Sequence, residues 1–227
     1  MKLSVIVPVY NEARTIGEIL KRIRAVDIEK EILIVDDCST DGTREFLKSV
    51  EHEKDLRVFY HSRNMGKGSA IRTAISEVQG DAVIIQDADL EYDPNDYLKL
   101  VAPIEEGRAT VVYGSRYSNP ENELPFTKFK VAVLFLTALA NLLYGARITD
   151  EATCYKVFRA DVLKSIPLKC KRFEFCPEVT AKVRKRGHRI AEVPISFKYR
   201  TVKEGKKIGW RDGIEAIVAL VRYRFVD

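Results

Sequence analysis

Apolar and polar positions follow two periods along the first half of the chain. Short runs rich in β-branched residues occupy 3–9, 32–35, 58–60, 82–85 and 110–113, and each reads as a strand buried on both faces. Between them, 12–26, 41–50, 68–78 and 95–104 carry apolar residues at helical spacing, three of them opening on Glu, Asp or Asn, as helix N-termini do. This alternation predicts an α/β fold, a parallel sheet with helices on both faces. Ligands of such sheets gather beyond the carboxyl ends of the strands. The polar clusters fall there: Pro8 to Glu12 after the first strand, Asp36 to Gly42 after the second, Gly66-Lys67-Gly68 before the third helix, and Asp87-Ala88-Asp89 after the fourth strand.

The second half has longer apolar stretches. Residues 131–146 are 16 positions without a charge; as a helix they span about 24 Å and fall short of the roughly 20 residues that cross a bilayer. Lys128 and Lys130 precede them and Arg147 follows, so the segment suits a membrane interface as well as a buried core helix. The stretch 209–225, apolar with Arg211, Arg222 and Arg224 interspersed, leaves the same two readings open.

Charge divides the chain more sharply than its total of +5 suggests. Residues 1–110 carry 15 Lys and Arg against 21 Asp and Glu, while 111–227 carry 23 against 12. A basic excess of that size attracts phosphate, whether on a nucleotide, a lipid or a nucleic acid. At 227 residues with 46% hydrophobic positions, the chain can bury a full core. Four cysteines without a C-x-x-C pair and three scattered histidines do not make a zinc site or a disulfide framework. No apolar leader precedes the first strand, which predicts a cytoplasmic protein.

Asp87, Asp89 and Glu91 stand on alternate positions at a strand end. Carboxylates so close repel one another unless a cation sits between them, and oxygen ligands of this kind suit a hard divalent cation that also meets phosphate oxygens. A receiver domain, suggested by Glu31 to Asp37, is disfavoured because here the acidic pair ends the second strand rather than the first. A nucleotidyltransferase would carry a glycine-rich phosphate loop where Pro8 to Glu12 stands.

Four motifs in order, Ser4 to Glu12, Val35 to Thr43, Asn64 to Gly68 and Asp87-Ala88-Asp89, resemble those of family 2 glycosyltransferases with the GT-A fold. Further stretches, Gly114 to Tyr117, Thr149 to Arg159 and Tyr199-Arg200 through Gly205 to Ile208, resemble the polyprenyl-phosphate sugar synthases of that family, the group that includes dolichyl-phosphate mannose and glucose synthases. The resemblance implies one GT-A catalytic domain over 1–227, with a nucleotide-sugar half at 1–115 and an acceptor-binding, membrane-associating half at 116–227. It implies that Pro8, Tyr10, Glu12, Val35 and Asp37 hold the base and ribose, that Asp87 and Ala88 lie beside the ribose and diphosphate, and that Asp89 and Glu91 bind Mg2+ or Mn2+. Lys67 belongs to the same nucleotide-binding set. Glu91 departs from the Gln of some relatives, and Cys38 replaces a commoner Gly.

The implied reaction is inverting transfer of a hexose from a UDP- or GDP-sugar to a polyprenyl phosphate on the cytosolic face of a membrane. Such an acceptor is already ionised near neutrality, its second pKa being about 6, and needs a cationic clamp more than a base. Arg116, Arg200, Lys206 and Lys207 are the candidates for that clamp, with Asp89, Arg116 and Arg200 expected at the reacting atoms. Glu178 is expected to pair with Lys182 or Arg184 on its own helix. The alternative acceptor, a saccharide hydroxyl, would need a positioned carboxylate base. A nucleic-acid-binding module would leave the three acids without a role, so no nucleic-acid partner is expected.

Overall fold

The computed structural model describes residues 1–200 and 209–226. Its first half alternates as the periodicity predicts: β1 (Leu3–Val9), α1 (Ile16–Ala25), β2 (Lys30–Asp36), α2 (Thr43–Val50), β3 (Leu56–Tyr60), α3 (Lys67–Ile75), β4 (Ala82–Ile85), α4 (Tyr97–Glu105) and β5 (Val111–Ser115). Then come α5 (Lys128–Tyr144), β6 (Lys156–Arg159), α6 (Ala160–Ser165), α7 (Phe175–Lys185), β7 (Ile190–Pro194) and α8 (Trp210–Phe225). One sheet of seven strands runs in the order β3-β2-β1-β4-β6-β5-β7. Strands β1, β2, β4 and β5 are buried along their whole length apart from the first residue of β2, because helices cover both faces.

The sheet is parallel except at β6, which enters between β4 and β5 antiparallel to both. The pattern in the sequence contains neither β6 nor β7. β6 is only four residues long and β7 shows no clean alternation, IAEVP, so neither carries a period that distinguishes it from loop. β6 brings the segment 149–155 back across the carboxyl end of β4, beside the acidic motif. Gly114 lets β5 approach this return closely: a Cβ there would lie 2.6 Å from Ile195 and 3.1 Å from Tyr155.

Helices α5, α7 and α8 pack on one another. Tyr144 donates its hydroxyl to the Leu220 carbonyl at 2.5 Å, and Ala181, Ala219 and Tyr223 form a small separate apolar cluster there. Among the described residues no helix is long and apolar enough to cross a membrane.

Candidate active site

Four loops converge beyond the carboxyl ends of β1, β2, β3 and β4, and hydrogen bonds from backbone N–H groups to side chains lace them together. Thr40 N–H donates to Asn11 Oδ1 at 2.8 Å, Asn11 N–H to Ser39 Oγ at 2.9 Å and Glu12 N–H to Thr43 Oγ1 at 2.9 Å. The Asp37 carboxylate accepts from Met65 N–H at 2.8 Å and Gly66 N–H at 2.7 Å and contacts His61 Nδ1 at 2.7 Å. Asp37 therefore organises the 64–68 loop as well as lining the cleft. Gly66 is fixed by geometry: its φ is +91° and a Cβ would sit 2.4 Å from the Lys171 carbonyl oxygen, which only glycine tolerates.

The acids follow. Lys67 Nζ lies 2.5 Å from Asp87 Oδ1; burial would depress the ammonium, yet Asp87 keeps it well above the usual lysine range. Burial first, then the charges of Asp87 and Glu91, push Asp89 up to about 7. Glu91 accepts the Arg200 backbone N–H at 2.9 Å, and the Arg200 guanidinium reaches Glu12 at 3.3 and 3.4 Å and the Asp89 carbonyl at 3.4 Å. Asp89 is thus a carboxyl whose negative charge is under-compensated, the environment a divalent cation relieves. No three His, Cys, Asp or Glu side chains among the described residues suffice to hold a metal by themselves. Asp89 and Glu91 fit a cation that takes its other ligands from phosphate and water, as Mg2+ commonly does.

Below this loop sits a polar junction that periodicity does not reveal. Gln86, fully buried at the end of β4, accepts the hydroxyls of Tyr97 and Tyr155 on Oε1, both at 2.6 Å, and donates Nε2–H to the Asp87 carbonyl at 2.8 Å. It ties both ends of the acidic loop to the returning segment. Lys156, also fully buried, donates to the Glu151 and Thr153 carbonyls at 2.6 and 2.9 Å and stands 4.0 Å over the Tyr113 ring. The sequence shows Lys156 inside the motif Thr149 to Arg159 but not that it is buried.

On the opposite side, Arg116 makes a two-pronged ion pair with Asp150, Nε and Nη2 each 2.7 Å from a carboxylate oxygen, and its guanidinium lies 5.1 Å over the Phe197 ring. Asp150, absent from the residues given a role by sequence, commits the Nε–Nη2 edge of that guanidinium. Glu178 and Lys182 pair at 2.6 Å, both fully buried. Of the expected site residues, Pro8, Tyr10, Glu12, Asp37, Lys67, Asp87, Ala88, Asp89, Glu91, Arg116 and Arg200 line one cavity of about 1340 Å³. Val35 does not: its side chain is fully buried in β2, because a central strand points both of its faces into helices. Lys206 and Lys207 lie outside the described residues. The remaining lining includes an apolar part, Phe129, Val133 and Leu136 of α5 with Trp210, Ile214 and Ile217 of α8, and further charges at Lys128, Lys130, Glu151, Lys171, Arg172 and Asp212.

Comparison with known proteins agrees with this architecture. The chain is 32% identical over 217 residues to the UDP-N-acetylglucosamine–dolichyl-phosphate N-acetylglucosaminyltransferase of Methanococcus voltae, covering 87% of this chain and 86% of that one. It is 28% identical over 231 residues to the undecaprenyl-phosphate mannosyltransferase of Micrococcus luteus, covering 98% and 94%. The glucosyl-3-phosphoglycerate synthase of Mycobacterium tuberculosis, solved with Mn2+, UDP and glucosyl-3-phosphoglycerate, superimposes with a TM-score of 0.74 at 19% identity, over 100% of this chain and 81% of that one; its GT-A fold is the fold seen here. The description "Glycosyl transferase family 2" matches residues 4–166, and with the cleft described above the chain belongs to that family and is a glycosyltransferase.

Proposed function

We propose that the protein transfers a hexose from a UDP- or GDP-sugar to a polyprenyl phosphate, in a metal-dependent, inverting reaction at a membrane surface. One observation carries the reading: a single cavity joins the acids Asp87, Asp89 and Glu91 and the cations Lys67, Arg116 and Arg200 to an apolar wall made by α5 and α8. A nucleoside diphosphate suits the first part, and a phosphate on a long hydrocarbon suits the other two. The relatives named above are, by their names, transferases to dolichyl and undecaprenyl phosphate, which supports the acceptor class.

The roles follow from the chemistry of each side chain. Asp89 and Glu91 would hold Mg2+ or Mn2+, which when bound supplies positive charge against the leaving diphosphate. Lys67, kept cationic beside Asp87, adds a fixed positive charge at the same edge, where preorganised charge is most effective. Glu12 and Arg200 close the nucleotide loop onto the acidic motif. Arg116, oriented by Asp150, presents its remaining N–H groups to the acceptor phosphate. In this reading an ionised phosphate oxygen is the nucleophile, so no carboxylate base is needed; Asp150 and Glu178 are committed to Arg116 and Lys182.

The membrane part rests on an uncovered apolar surface. Val131, Leu134, Phe135 and Leu142 of α5 and Trp210, Ile214, Val218, Val221 and Phe225 of α8 are all exposed. The α8 positions recur every three or four residues, one continuous face, and a face of this extent marks an interaction site. A cleft that opens between these helices lets the acceptor's hydrocarbon stay in lipid while its phosphate reaches Arg116. Incubation with Mg2+ or Mn2+, a short polyprenyl phosphate and each common UDP- and GDP-sugar, followed by mass spectrometry, tests the reading. A lipid-linked sugar lost with EDTA is expected. Metal-dependent nucleotide binding with no lipid product from any donor would overturn the acceptor.

A further inference from the structure

At the end of the molecule away from the cleft, a concavity of about 390 Å³ is lined by Arg147, Arg184 and Arg189 with Gly145, Ala146 and Ile190. Its position is set by the sheet. Ile190 opens β7 opposite Val111, the first residue of β5, whereas the cleft lies beyond Ser115 at the other end of the same pair. Four residues of strand, roughly 13 Å, separate the two ends, and among the described residues none lines both cavities.

The three arginines are differently held. Arg184 is anchored, its Nη1–H donating to the His188 carbonyl at 2.8 Å and its Nε–H to the Tyr144 carbonyl at 3.3 Å. Arg147 and Arg189 are exposed. None of the three pairs with a carboxylate among the described residues, whereas Arg24, Arg44, Arg57 and Arg116 all do. No Asp or Glu lines the concavity, and segments 139–149, 182–191 and 216–226 together contain eight Lys and Arg and no Asp or Glu; the acids that flank these segments are held elsewhere, Asp150 by Arg116 and Glu192 by the Thr149 and Asp150 backbone N–H groups. Arg147 also has φ +57°; of the four non-glycine residues with positive φ among the described ones, the other three, Asn11, Cys38 and Leu90, stand in the loops of the cleft.

This concavity lies just past the C-terminal end of α5, where Leu142 is 81% exposed, and on the same side as the end of α8, where Phe225 is equally exposed and Val226 accepts from Lys185. It therefore continues the apolar face of the two helices into a purely cationic end. We propose that Arg147, Arg184 and Arg189 form a second anion site, taking the phosphate of an anionic lipid headgroup and fixing how the apolar face sits on the bilayer. Guanidinium groups without carboxylate partners are suited to phosphate, and basic pockets beside membrane-facing helices bind anionic headgroups. The inference rests on the membrane reading given above, and its test separates the two.

Binding to phosphatidylcholine vesicles with and without phosphatidylglycerol is measured for the whole protein, for Arg147→Gln/Arg189→Gln and for Arg222→Gln/Arg224→Gln, alongside titration with inorganic phosphate. Both double variants remove the same formal charge from exposed side chains. The expected result is that the first loses about tenfold or more in affinity for the anionic vesicles, at least severalfold more than the second, while both keep the weaker binding to neutral vesicles. Equal losses would overturn the site in favour of general attraction to an anionic surface. Absence of binding by the unaltered protein to any vesicle would sink the membrane reading; inorganic phosphate binding that disappears in Arg147→Gln/Arg189→Gln would then assign the site to a soluble phosphate and overturn the lipid headgroup, and no phosphate binding would remove the site altogether.

Discussion

Arg116 and Asp150 meet through two parallel hydrogen bonds of 2.7 Å, with the Asp150 side chain fully buried and Arg116 13% exposed. A pair of this kind is costly to break from one side, because the remaining charge stays buried without a partner. Asp150→Ala is expected to lower stability by about 3 kcal/mol. The double variant Arg116→Met/Asp150→Leu is expected to recover at least half of that while remaining inactive. Urea unfolding of the three proteins measures the first effect and the transfer assay the second. A double variant no more stable than Asp150→Ala would show that the geometry around the pair, and not its charge, sets the cost.

The pairing also marks where the sequence stops being informative. Periodicity suffices for β1 to β5 and for the helices between them, since long hydrophobic repeats are a local property of the chain. It fails for β6, which holds its place through neighbours distant in sequence, β4 and β5. The acidic motif and the loops Pro8 to Glu12 and Gly66 to Gly68 are legible because polar residues gathered just after an apolar strand mark the carboxyl end of a parallel sheet, where ligands collect. Asp150 and Gln86 are not, because an Asp or Gln inside a polar stretch has many uses until the fold supplies Arg116, Tyr97 and Tyr155 as partners. Glu178 and Lys182 are the intermediate case, four residues apart on one helix and hence readable as a pair.

Asp89 should make the protein's stability fall with rising pH. Its folded value of about 7 lies above the ordinary aspartate value of 3.8, so between these values the folded state holds a proton that the unfolded chain has already lost. Stability that this group contributes is complete below about pH 4 and is lost as pH rises through 7. Asp89→Asn removes the penalty. Without metal at pH 8 it is expected to be more stable than the unaltered protein by on the order of 1 kcal/mol, and to gain nothing from Mn2+ and UDP, which are expected to stabilise the unaltered protein. Thermal melts at pH 5 and 8, with and without Mn2+ and UDP, check both signs; a melting point lowered by the substitution at pH 8 would contradict the assignment.

Cys38 stands at φ +65°, in the left-handed region that glycine enters without strain. An L residue in that region costs about 1–2 kcal/mol, partly offset by the greater freedom glycine has in the unfolded chain. Cys38→Gly is accordingly expected to raise stability by about 0.5 kcal/mol and to leave nucleotide binding intact. Denaturant midpoints for the two proteins settle it, and a midpoint that falls would mean that the 3.7 Å contact of the Cys38 thiol with the Ser62 carbonyl outweighs the backbone strain.

Gln86 separates holding the fold together from positioning the acids. Its Oε1 serves the Tyr97 and Tyr155 hydroxyls, and only its Nε2 serves the acidic loop, through the Asp87 carbonyl. Gln86→Met removes all three hydrogen bonds, and Tyr97→Phe/Tyr155→Phe removes two while leaving the amide on Asp87. Each change strands buried polar groups and is expected to cost about 2–4 kcal/mol. Their effects on the site should differ: the Met variant is expected to raise severalfold the Mn2+ concentration that half-saturates UDP binding, because the loop carrying Asp89 and Glu91 loses its fixed start. The double Phe variant is expected to keep the metal requirement of the unaltered protein despite a comparable fall in melting temperature. Calorimetric titration of UDP at several Mn2+ concentrations distinguishes the two, and equal metal requirements in both variants would reduce Gln86 to a structural residue.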